Sequence, residues 1–530
     1  MIAAYRYINS RLRKVIQAKW RLLFVVFIII YAAVLCVNLA YVTIQWDETP
    51  HLNGALLLSQ GRFEDYLLST RYPPVLDITT AAYFNMLGPS IYTGRLVSIT
   101  FALLTLWVAF ELCYRTYGPK IALLSSIILG TMPGFVWLSR LALIEIMLEF
   151  FFMVAMLFFF FWLRTGRNKT LIFSGIALGL GFLTKYQIVA AGLVMIISIL
   201  LLYQNTLKAR LSRCALLIMT AVAVVLPWIV IVYQVYMSGV LSQWLRLLQM
   251  SDTRSYLYGL RYPLPIFYLI EMVWPYGVVH PISFLVYILG LLGLGLFMWR
   301  RKTEDKFFLV WFFVIYIFFT LIGIKDWRFV MPVFPVLAIS AASFVFFAYS
   351  KAEKTFKIGA AGLKKYAVKI GAVCLIVFTG VALFYSTADA YRWVTKDDIY
   401  VPIREVAHYT AERLNDNESV MVVCPLNFFD GDMMRFYLGA YESKQNQVWQ
   451  YPELAVDAYT PFFDVNTLFD LCGEENATYL LLFEYGMTYP YFNSTLTTQA
   501  VYDMIIQHGE FTYQTSFGTF PCRIFIFMNE

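Results

Sequence analysis

The stretch LLFVVFIIIYAAVLCVNLAYVTIQWDE, residues 22–48, begins as an apolar run and ends in two adjacent carboxylates. Leu22 to Tyr41 is long enough to cross a bilayer as one α-helix. Asp47 and Glu48 follow at the exit of that helix, where an ionisable side chain is costly and is a functional candidate by default. This pair is therefore the first candidate for a functional site.

The composition is that of a polytopic membrane protein. The chain is 60% hydrophobic and only 14% charged, and its mean hydropathy is +0.65. The first apolar run is too long for the core of a signal peptide, so we expect an uncleaved first helix with a cytoplasmic N-terminus. The net charge of +7 comes from loops beside apolar spans, a pattern that sets membrane topology and does not indicate nucleic-acid binding.

Hydropathy predicts about eleven transmembrane helices. They are expected near residues 22–42, 94–113, 120–137, 146–163, 170–184, 187–203, 214–234, 281–299, 307–324, 329–349 and 370–386. The loops that alternate along the chain are rich in Lys and Arg, which predicts that they face the cytoplasm. In the fifth predicted span, Gly175, Gly179 and Gly181 favour close helix packing. The plasma or cytoplasmic membrane is the expected location.

Residues 387–530 differ in composition from the rest of the chain and are expected to form a soluble extracytoplasmic α/β domain. They carry 7 Lys+Arg and 20 Asp+Glu. Short apolar runs at 419–424, 477–483 and 523–527 are typical of buried strands. The predicted organisation is therefore a membrane domain at 1–386, with a first external loop at 44–92, followed by this soluble domain.

Carboxylates and cations from five separated segments are predicted to meet at the external membrane face. They are Asp47, Glu48, Arg71, Arg95, Arg140, Glu145, Lys185, Lys325 and Arg328. For each residue alone, a structural explanation, either snorkelling or an ion pair, is as good as a functional one, but the set favours a site. Glu149, one helical turn after Glu145, is expected to be a structural partner of a buried cation. The sequence signals no metal site, because it lacks CxxC and HExxH motifs and its four histidines are scattered.

Six short motifs occur in a characteristic order. They are Trp46-Asp47-Glu48, Tyr72-Pro73-Pro74, Gly94-Arg95-Leu96, Arg140-Leu141-Ala142-Leu143-Ile144-Glu145, Phe182-Leu183-Thr184-Lys185-Tyr186 and Arg328-Phe329-Val330-Met331-Pro332. Together they resemble the GT-C superfamily of glycosyltransferases, which includes protein O-mannosyltransferases and lipid A aminoarabinose transferases. Tyr72 stands where a lysine often precedes the two prolines, so Arg71 is expected to supply that charge. Glu145 stands where aspartate is frequent.

The resemblance implies an integral membrane glycosyltransferase that takes a sugar from a polyprenyl-phosphate-linked donor. The acceptor would be an extracytoplasmic hydroxyl group on a protein, lipid or glycan, and one direct displacement would invert the anomeric carbon. The resemblance implies Asp47 as the general base, with Glu48 either orienting the acceptor or holding the first external loop. A carboxylate can take the hydroxyl proton, and Lys and Arg can neutralise a phosphate. The expected catalytic residues are Asp47, Glu48 and Glu145, and the expected phosphate-binding residues are Arg71, Arg95, Arg140, Lys185, Lys325 and Arg328.

Two other functions fit a polytopic chain of this kind. A transporter or lipid flippase would use Asp47 and Glu145 as coupling groups, but it would more often show paired repeats or helices broken at the midplane. The sequence shows no internal repeat, and its charges gather at one membrane face. A non-catalytic subunit of an assembly is the other alternative, and the intact Asp47, Lys185 and Arg328 argue against it.

Overall fold

The computed structural model describes residues 2–40, 42–70, 72–249, 262–275, 279–322, 325–357, 363–395, 400–423, 428–452, 463–484 and 497–529. The α-helices of this part of the chain are α1 (Ile2–Cys36), α2 (Thr49–Ser59), α3 (Phe63–Ser69), α4 (Val75–Leu87), α5 (Ile91–Tyr117), α6 (Pro119–Thr131), α7 (Pro133–Ser139), α8 (Ile144–Thr165), α9 (Asn168–Phe182), α10 (Val189–Leu202), α11 (Leu207–Gln249), α12 (Phe267–Glu271), α13 (Phe284–Arg300), α14 (Thr303–Leu321), α15 (Phe334–Lys357), α16 (Leu363–Thr395), α17 (Ile403–Ala411), α18 (Gly431–Tyr441), α19 (Val465–Glu474) and α20 (Thr498–His508). The strands are β1 (Ser419–Val423), β2 (Val448–Tyr451), β3 (Ala477–Glu484), β4 (Phe511–Phe517) and β5 (Arg523–Asn529).

The helical part of the chain has the character of a membrane protein. Within the described ranges, six helices are long and apolar enough to cross a bilayer, and they lie in α1, α5, α8, α11, α15 and α16. The pair α6 and α7 bends by 69° and makes a seventh span if it is counted as one. Two shorter apolar helices, Tyr186–Leu202 and Phe284–Arg300, join them. The polytopic helical fold is confirmed, and the number of eleven spans stays a prediction.

The bend between α6 and α7 has a local cause. Pro133 has no backbone N–H and disfavours the helical conformation of the residue before it, and Met132 is extended at that point. The Gly134 amide donates to the Pro281 carbonyl over 3.0 Å. The Pro281 carbonyl, in the loop before α13, therefore accepts a hydrogen bond from an amide that the bend leaves without a partner in the helix.

Glycine brings α9 and α11 into close contact. A Cβ added to Gly175 would lie 2.7 Å from Thr220 Cβ, and one added to Gly179 would lie 2.7 Å from Val224 Cβ. At Gly181 the same atom would lie 2.6 Å from Ile188 Cδ1. These distances leave no room for a side chain, so the close packing predicted from the three glycines is confirmed.

The C-terminal region forms a five-stranded sheet in the order β2-β1-β3-β5-β4. β1 pairs in parallel with β2 and with β3, whereas β5 is antiparallel to both β3 and β4. Alternate residues of β1 enter different apolar clusters, because Val420 and Val422 face one side and Met421 and Val423 the other. The three strands expected from apolar runs are present. β2 and β4 were not predicted, because β2 spans four residues and β4 is a largely half-exposed edge strand.

This sheet domain packs directly on the segment that follows Asp47. Leu52 and Leu56 of α2 share one apolar cluster with Met433 and Phe436 of α18. Asn53 Nδ2 donates to the Asp432 carbonyl over 2.9 Å. The C-terminal domain and α2 therefore share a continuous core.

The helix that leads into the domain is longer than expected. α16 continues through the expected boundary at 386/387 and ends at Thr395. Residues 387–395 contain no proline or glycine, and Ala390 and Val394 are buried. Burial of these side chains extends the helix beyond the apolar run that hydropathy detects.

Two glycines of α13 provide a matched test of how closely α13 packs against α15. A Cβ at Gly293 would lie 2.1 Å from the Ser340 carbonyl oxygen, whereas one at Gly295 meets nothing within 4 Å. We expect Gly293→Ala to lower the thermal denaturation midpoint in detergent, since overpacking costs about 1–3 kcal/mol. Gly295→Ala should leave the midpoint unchanged or raise it, because alanine is the better helix former. Equal effects of the two changes would contradict the α13–α15 contact.

Candidate active site

Asp47 and Glu48 are neighbours that point in different directions. Both lie in a 3₁₀ turn, Trp46–Glu48, between α1 and α2. The Gln45 amide donates to Glu48 Oε2 over 2.8 Å, which holds the start of the turn. The Asp47 side chain is 42% exposed, whereas Glu48 is fully buried. The two carboxylates therefore lie in different environments.

Asp47 joins a cluster of charged side chains from separated segments. Arg328, in the 3₁₀ turn Trp327–Val333, donates from Nη1 to Asp47 Oδ2 over 2.7 Å. The same nitrogen lies 3.7 Å from Glu145 Oε1, and Glu145 accepts a 2.9 Å hydrogen bond from Lys185 Nζ. Asp326 holds the other side of the Arg328 guanidinium at 2.8 Å. Four of the predicted site residues, Asp47, Glu145, Lys185 and Arg328, therefore meet.

The two cations of this cluster keep donors available. An ammonium has three N–H groups, and Lys185 gives one to Glu145 while its Nζ lies 5.6 Å from the centre of the Phe329 ring. The side chains of Lys185 and Arg328 are 18% and 22% exposed, so an approaching anion can reach them. Asp47 Oδ1 accepts no hydrogen bond from a described residue. The cluster thus offers an anion-binding end and a carboxylate oxygen that is open to a ligand.

Glu48 forms a fully buried ion pair with Arg95 of α5. Arg95 donates from Nε to Glu48 Oε1 over 2.8 Å and from Nη2 to Oε2 over 2.6 Å. Its other N–H groups bind the carbonyls of Leu39, Val42 and Thr43. The Ala142 amide also donates to Glu48. All five N–H groups of Arg95 are used inside the protein, which leaves none for a phosphate.

Two further predicted phosphate ligands are also turned toward backbone carbonyls. Arg140 is 3% exposed and donates from Nη1 to the carbonyls of Leu35 and Val37, at the end of α1. Lys325 is 6% exposed, and its ammonium binds the carbonyls of Phe319, Thr320 and Ile322, at the end of α14. The last carbonyls of a helix have no partner within it, and a cation there also complements the helix dipole. Both side chains cap helices, and among the described residues neither forms an ion pair with Asp47 or Glu145.

Arg71, the remaining predicted phosphate ligand, lies outside the described residues. In the described part of the chain, no group of three or more His, Cys, Asp and Glu side chains is arranged to hold a metal ion.

A buried polar network that the motifs did not reveal links α2, α3 and α4. His51 Nδ1 lies 2.9 Å from Asp77 Oδ1, and Tyr66 donates to Asp77 Oδ2 over 3.1 Å. Burial raises the pKa of Asp77, and the adjacent His51 opposes that rise. The Tyr72 ring lies against His51 with 4.8 Å between ring centres. His51 follows Asp47 by one helical turn, so the network braces the segment that carries Asp47. A separation of 26 residues between His51 and Asp77 gave no sequence signal of the pair.

Glu149 differs from its expected role. It lies one turn after Glu145 on α8 and is 1% exposed, and both of its carboxylate oxygens lack a hydrogen-bond partner among the described residues. The expectation of a cation partner for Glu149 is wrong. Lys185 forms its ion pair with Glu145, which is nearer the helix end, and Glu149 is left deeper in the bundle.

Glu145 and Glu149 give a matched pair of variants on one helix face. Removing one partner of a buried ion pair costs about 3–5 kcal/mol, and the partial exposure of Lys185 and Arg328 favours the lower end. We therefore expect Glu145→Gln to lower the thermal denaturation midpoint clearly. Glu149→Gln should leave it unchanged or raise it, because an unpaired buried carboxyl is lost. Equal losses of thermal stability in the two variants would contradict the conclusion that Glu149 has no partner among the described residues.

Comparison with known proteins places this arrangement in a recognised fold. Residues 71–231 match the family described as dolichyl-phosphate-mannose-protein mannosyltransferase. No curated protein matches the sequence. The matched segment contains Arg95, Arg140, Glu145 and Lys185, and it lies between Asp47 and Arg328.

Two solved proteins align with most of the chain. ArnT from Cupriavidus metallidurans in the apo state gives a TM-score of 0.64 at 14% identity and covers 97% of this chain and 98% of its own. ArnT bound to undecaprenyl phosphate gives the same TM-score at 13% identity, with the same coverage. The oligosaccharyltransferase AglB from Archaeoglobus fulgidus, in complex with an inhibitory peptide and a dolichol-phosphate, gives 0.56 at 11% identity and covers 86% of this chain and 69% of its own. The resemblance expected from the ordered motifs is confirmed, and the chain has the fold of the GT-C glycosyltransferases.

Proposed function

We propose that this protein is an inverting glycosyltransferase that uses a polyprenyl-phosphate-linked sugar as its donor. The observation that carries the proposal is the meeting of Asp47, Glu145, Lys185 and Arg328 at one end of the helical bundle. Such a transfer needs a base for the acceptor and cations for the leaving phosphate in one place. The bound undecaprenyl phosphate of ArnT and dolichol-phosphate of AglB support a polyprenyl phosphate as the lipid carrier.

Lys185 and Arg328 bind the donor phosphate in this proposal. Both side chains reach solvent at the end of the bundle, and both retain N–H groups that Glu145 and Asp326 do not occupy. Glu145 holds Lys185 and Arg328 in place through its carboxylate, so we assign it as a positioning residue. Arg95, Arg140 and Lys325 stay bound to Glu48 and to backbone carbonyls throughout the reaction.

Asp47 is the proposed general base. An acceptor hydroxyl donates to its open Oδ1, and the hydroxyl oxygen attacks the anomeric carbon of the donor sugar. The new carbon–oxygen bond forms as the bond from the anomeric carbon to the phosphate oxygen breaks, and the hydroxyl proton passes to Asp47. The polyprenyl phosphate leaves as an anion that Lys185 and Arg328 stabilise. A single displacement of this kind inverts the anomeric configuration. Of the two roles open to Glu48, its burial favours holding the external loop.

The acceptor side is proposed to face away from the cytoplasm. The charged cluster and the sheet domain lie at the same end of the bundle, because α18 packs on α2. Basic residues at 164–169, where α8 turns into α9, and at 208–213, in the first turns of α11, lie at the opposite end of the bundle. This favours a cytoplasmic location for that end and for the N-terminus. The cytoplasmic membrane is the proposed location, and the acceptor is a hydroxyl group of a protein, lipid or glycan.

Asp47→Asn tests the chemistry directly. It keeps the shape of the side chain and removes the proton acceptor, and a general base contributes about 10²–10⁴-fold in rate. We expect that loss in transfer from a polyprenyl-phosphate sugar, with wild-type donor binding and thermal stability. Glu64→Gln is the control, because Glu64 is an exposed carboxylate of the same external segment. Wild-type turnover in Asp47→Asn would remove Asp47 from the mechanism. Movement of a lipid or solute by the wild-type protein without any glycosidic product would favour a transporter.

A further inference from the structure

A second cluster of cations lies at the end of the bundle opposite the candidate active site. α8 begins at Ile144, beside the Glu145–Lys185 pair, and ends at Thr165, and α9 returns from Asn168 toward Lys185. The α8–α9 turn is therefore at the far end. α11 runs parallel to α9, since Gly175 faces Thr220 and Gly179 faces Val224. In both pairs the residue of α11 follows its partner in α9 by the same number of positions, and this spacing places Arg213 of α11 beside the first turn of α9.

An open cavity of about 570 Å³ lies at this point. It is lined by Gly166, Arg167, Asn168, Lys169 and Arg213. Three of these five residues are cations and none is acidic. Gly166 adopts a left-handed conformation with φ +67°, and a Cβ there would meet nothing within 4 Å.

No carboxylate neutralises these cations. Residues 150–251 contain no Asp or Glu, although they carry eight Lys and Arg. Glu304, from another part of the bundle, forms its ion pair with Arg164. Arg167, Lys169 and Arg213 form no ion pair with any described residue, and Arg213 Nε is buried without an acceptor. Positive charge is thus concentrated around an open space, with a buried donor left unsatisfied.

The surroundings indicate what kind of anion this cavity fits. The first amides of α9 have no partner within the helix and carry the positive end of its dipole, which suits a phosphate. Ile172 and Phe173 of α9 and Leu211 of α11 lie within one or two turns of the cations and are exposed, as lipid-facing side chains are. A ligand with a phosphate head and apolar chains meets both features. Basic pockets between membrane helices bind anionic lipid headgroups in this way.

We propose that this cavity binds the phosphate of an anionic glycerophospholipid in the leaflet opposite the candidate active site. Arg167, Lys169 and Arg213 contact the phosphodiester, and Arg213 Nε gains its missing acceptor. The acyl chains lie along the apolar faces of α9 and α11. The proposal is independent of the proposed transferase chemistry, because none of its residues belongs to the charged cluster around Asp47.

The test measures retained lipid on the full-length protein in detergent. Native mass spectrometry follows titration with phosphatidylglycerol or phosphatidylcholine, with inorganic phosphate as a competitor. We expect one phosphatidylglycerol to bind at least about tenfold more tightly than phosphatidylcholine. The triple variant Arg167→Gln/Lys169→Gln/Arg213→Gln should lose this preference. Arg213→Gln alone should weaken it and serves if the triple variant does not fold.

The control removes the same charge from the same membrane face. Lys120, Arg301 and Lys306 are exposed cations at this end of the bundle and do not line the cavity. The variant Lys120→Gln/Arg301→Gln/Lys306→Gln should bind phosphatidylglycerol as the wild type does. If both triple variants lose phosphatidylglycerol binding equally, the binding depends on general surface charge, and the proposal is overturned. Equal binding of the two lipids, or displacement of the lipid by millimolar inorganic phosphate, would overturn it as well.

Discussion

The buried ion pair between Glu48 and Arg95 is the interaction on which the arrangement of the site depends. Burying two charges costs several kcal/mol for each ion, so such a pair persists only when its geometry and remaining hydrogen bonds are complete. Here Glu48 also accepts from the amides of Gln45 and Ala142, and Arg95 also binds three carbonyls after α1. The pair thereby ties α1, α5 and the segment before α8 to one turn. Because Glu48 points inward, Asp47 points to the exposed end of the bundle.

The sequence alone was enough to predict which residues gather at the candidate site, but not to separate the cations by role. The order of the motifs placed Asp47, Glu145, Lys185 and Arg328 at one membrane face, and the structure brings them into contact. Arg95, Arg140 and Lys325 have the same appearance in the sequence, since each is a cation at a helix end. In the structure these three satisfy a buried carboxylate or the carbonyls at the ends of helices. That distinction depends on side-chain direction, which hydropathy and spacing do not carry.

The C-terminal sheet domain helps to hold the segment that carries Asp47. Strands with apolar runs could be predicted because burial on both faces leaves a local pattern, as in β1 and β3. The docking of α18 on α2 could not, because Leu52, Leu56 and Phe436 are ordinary apolar residues in separate parts of the chain. Their shared core backs the helix that follows Asp47, while the His51–Asp77–Tyr66 network braces the same helix from α3 and α4. The segment that carries Asp47 is thus fixed from several sides.

In the proposed function the donor phosphate meets Lys185 and Arg328, and not Arg95, Arg140 or Lys325. Lys185 and Lys325 offer a direct comparison, because both are lysines near Arg328, one bound to a carboxylate and open to solvent, the other bound to three carbonyls and buried. The decisive measurement is the affinity of the purified Lys185→Gln and Lys325→Gln variants for a polyprenyl phosphate. We expect Lys185→Gln to weaken binding at least about tenfold, the effect of about 1.4 kcal/mol. It should also lower thermal stability, because the buried Glu145 loses one of its partners. Lys325→Gln should keep the affinity and lose thermal stability. The reverse pattern, or equal loss of affinity in both, would contradict this assignment of the site.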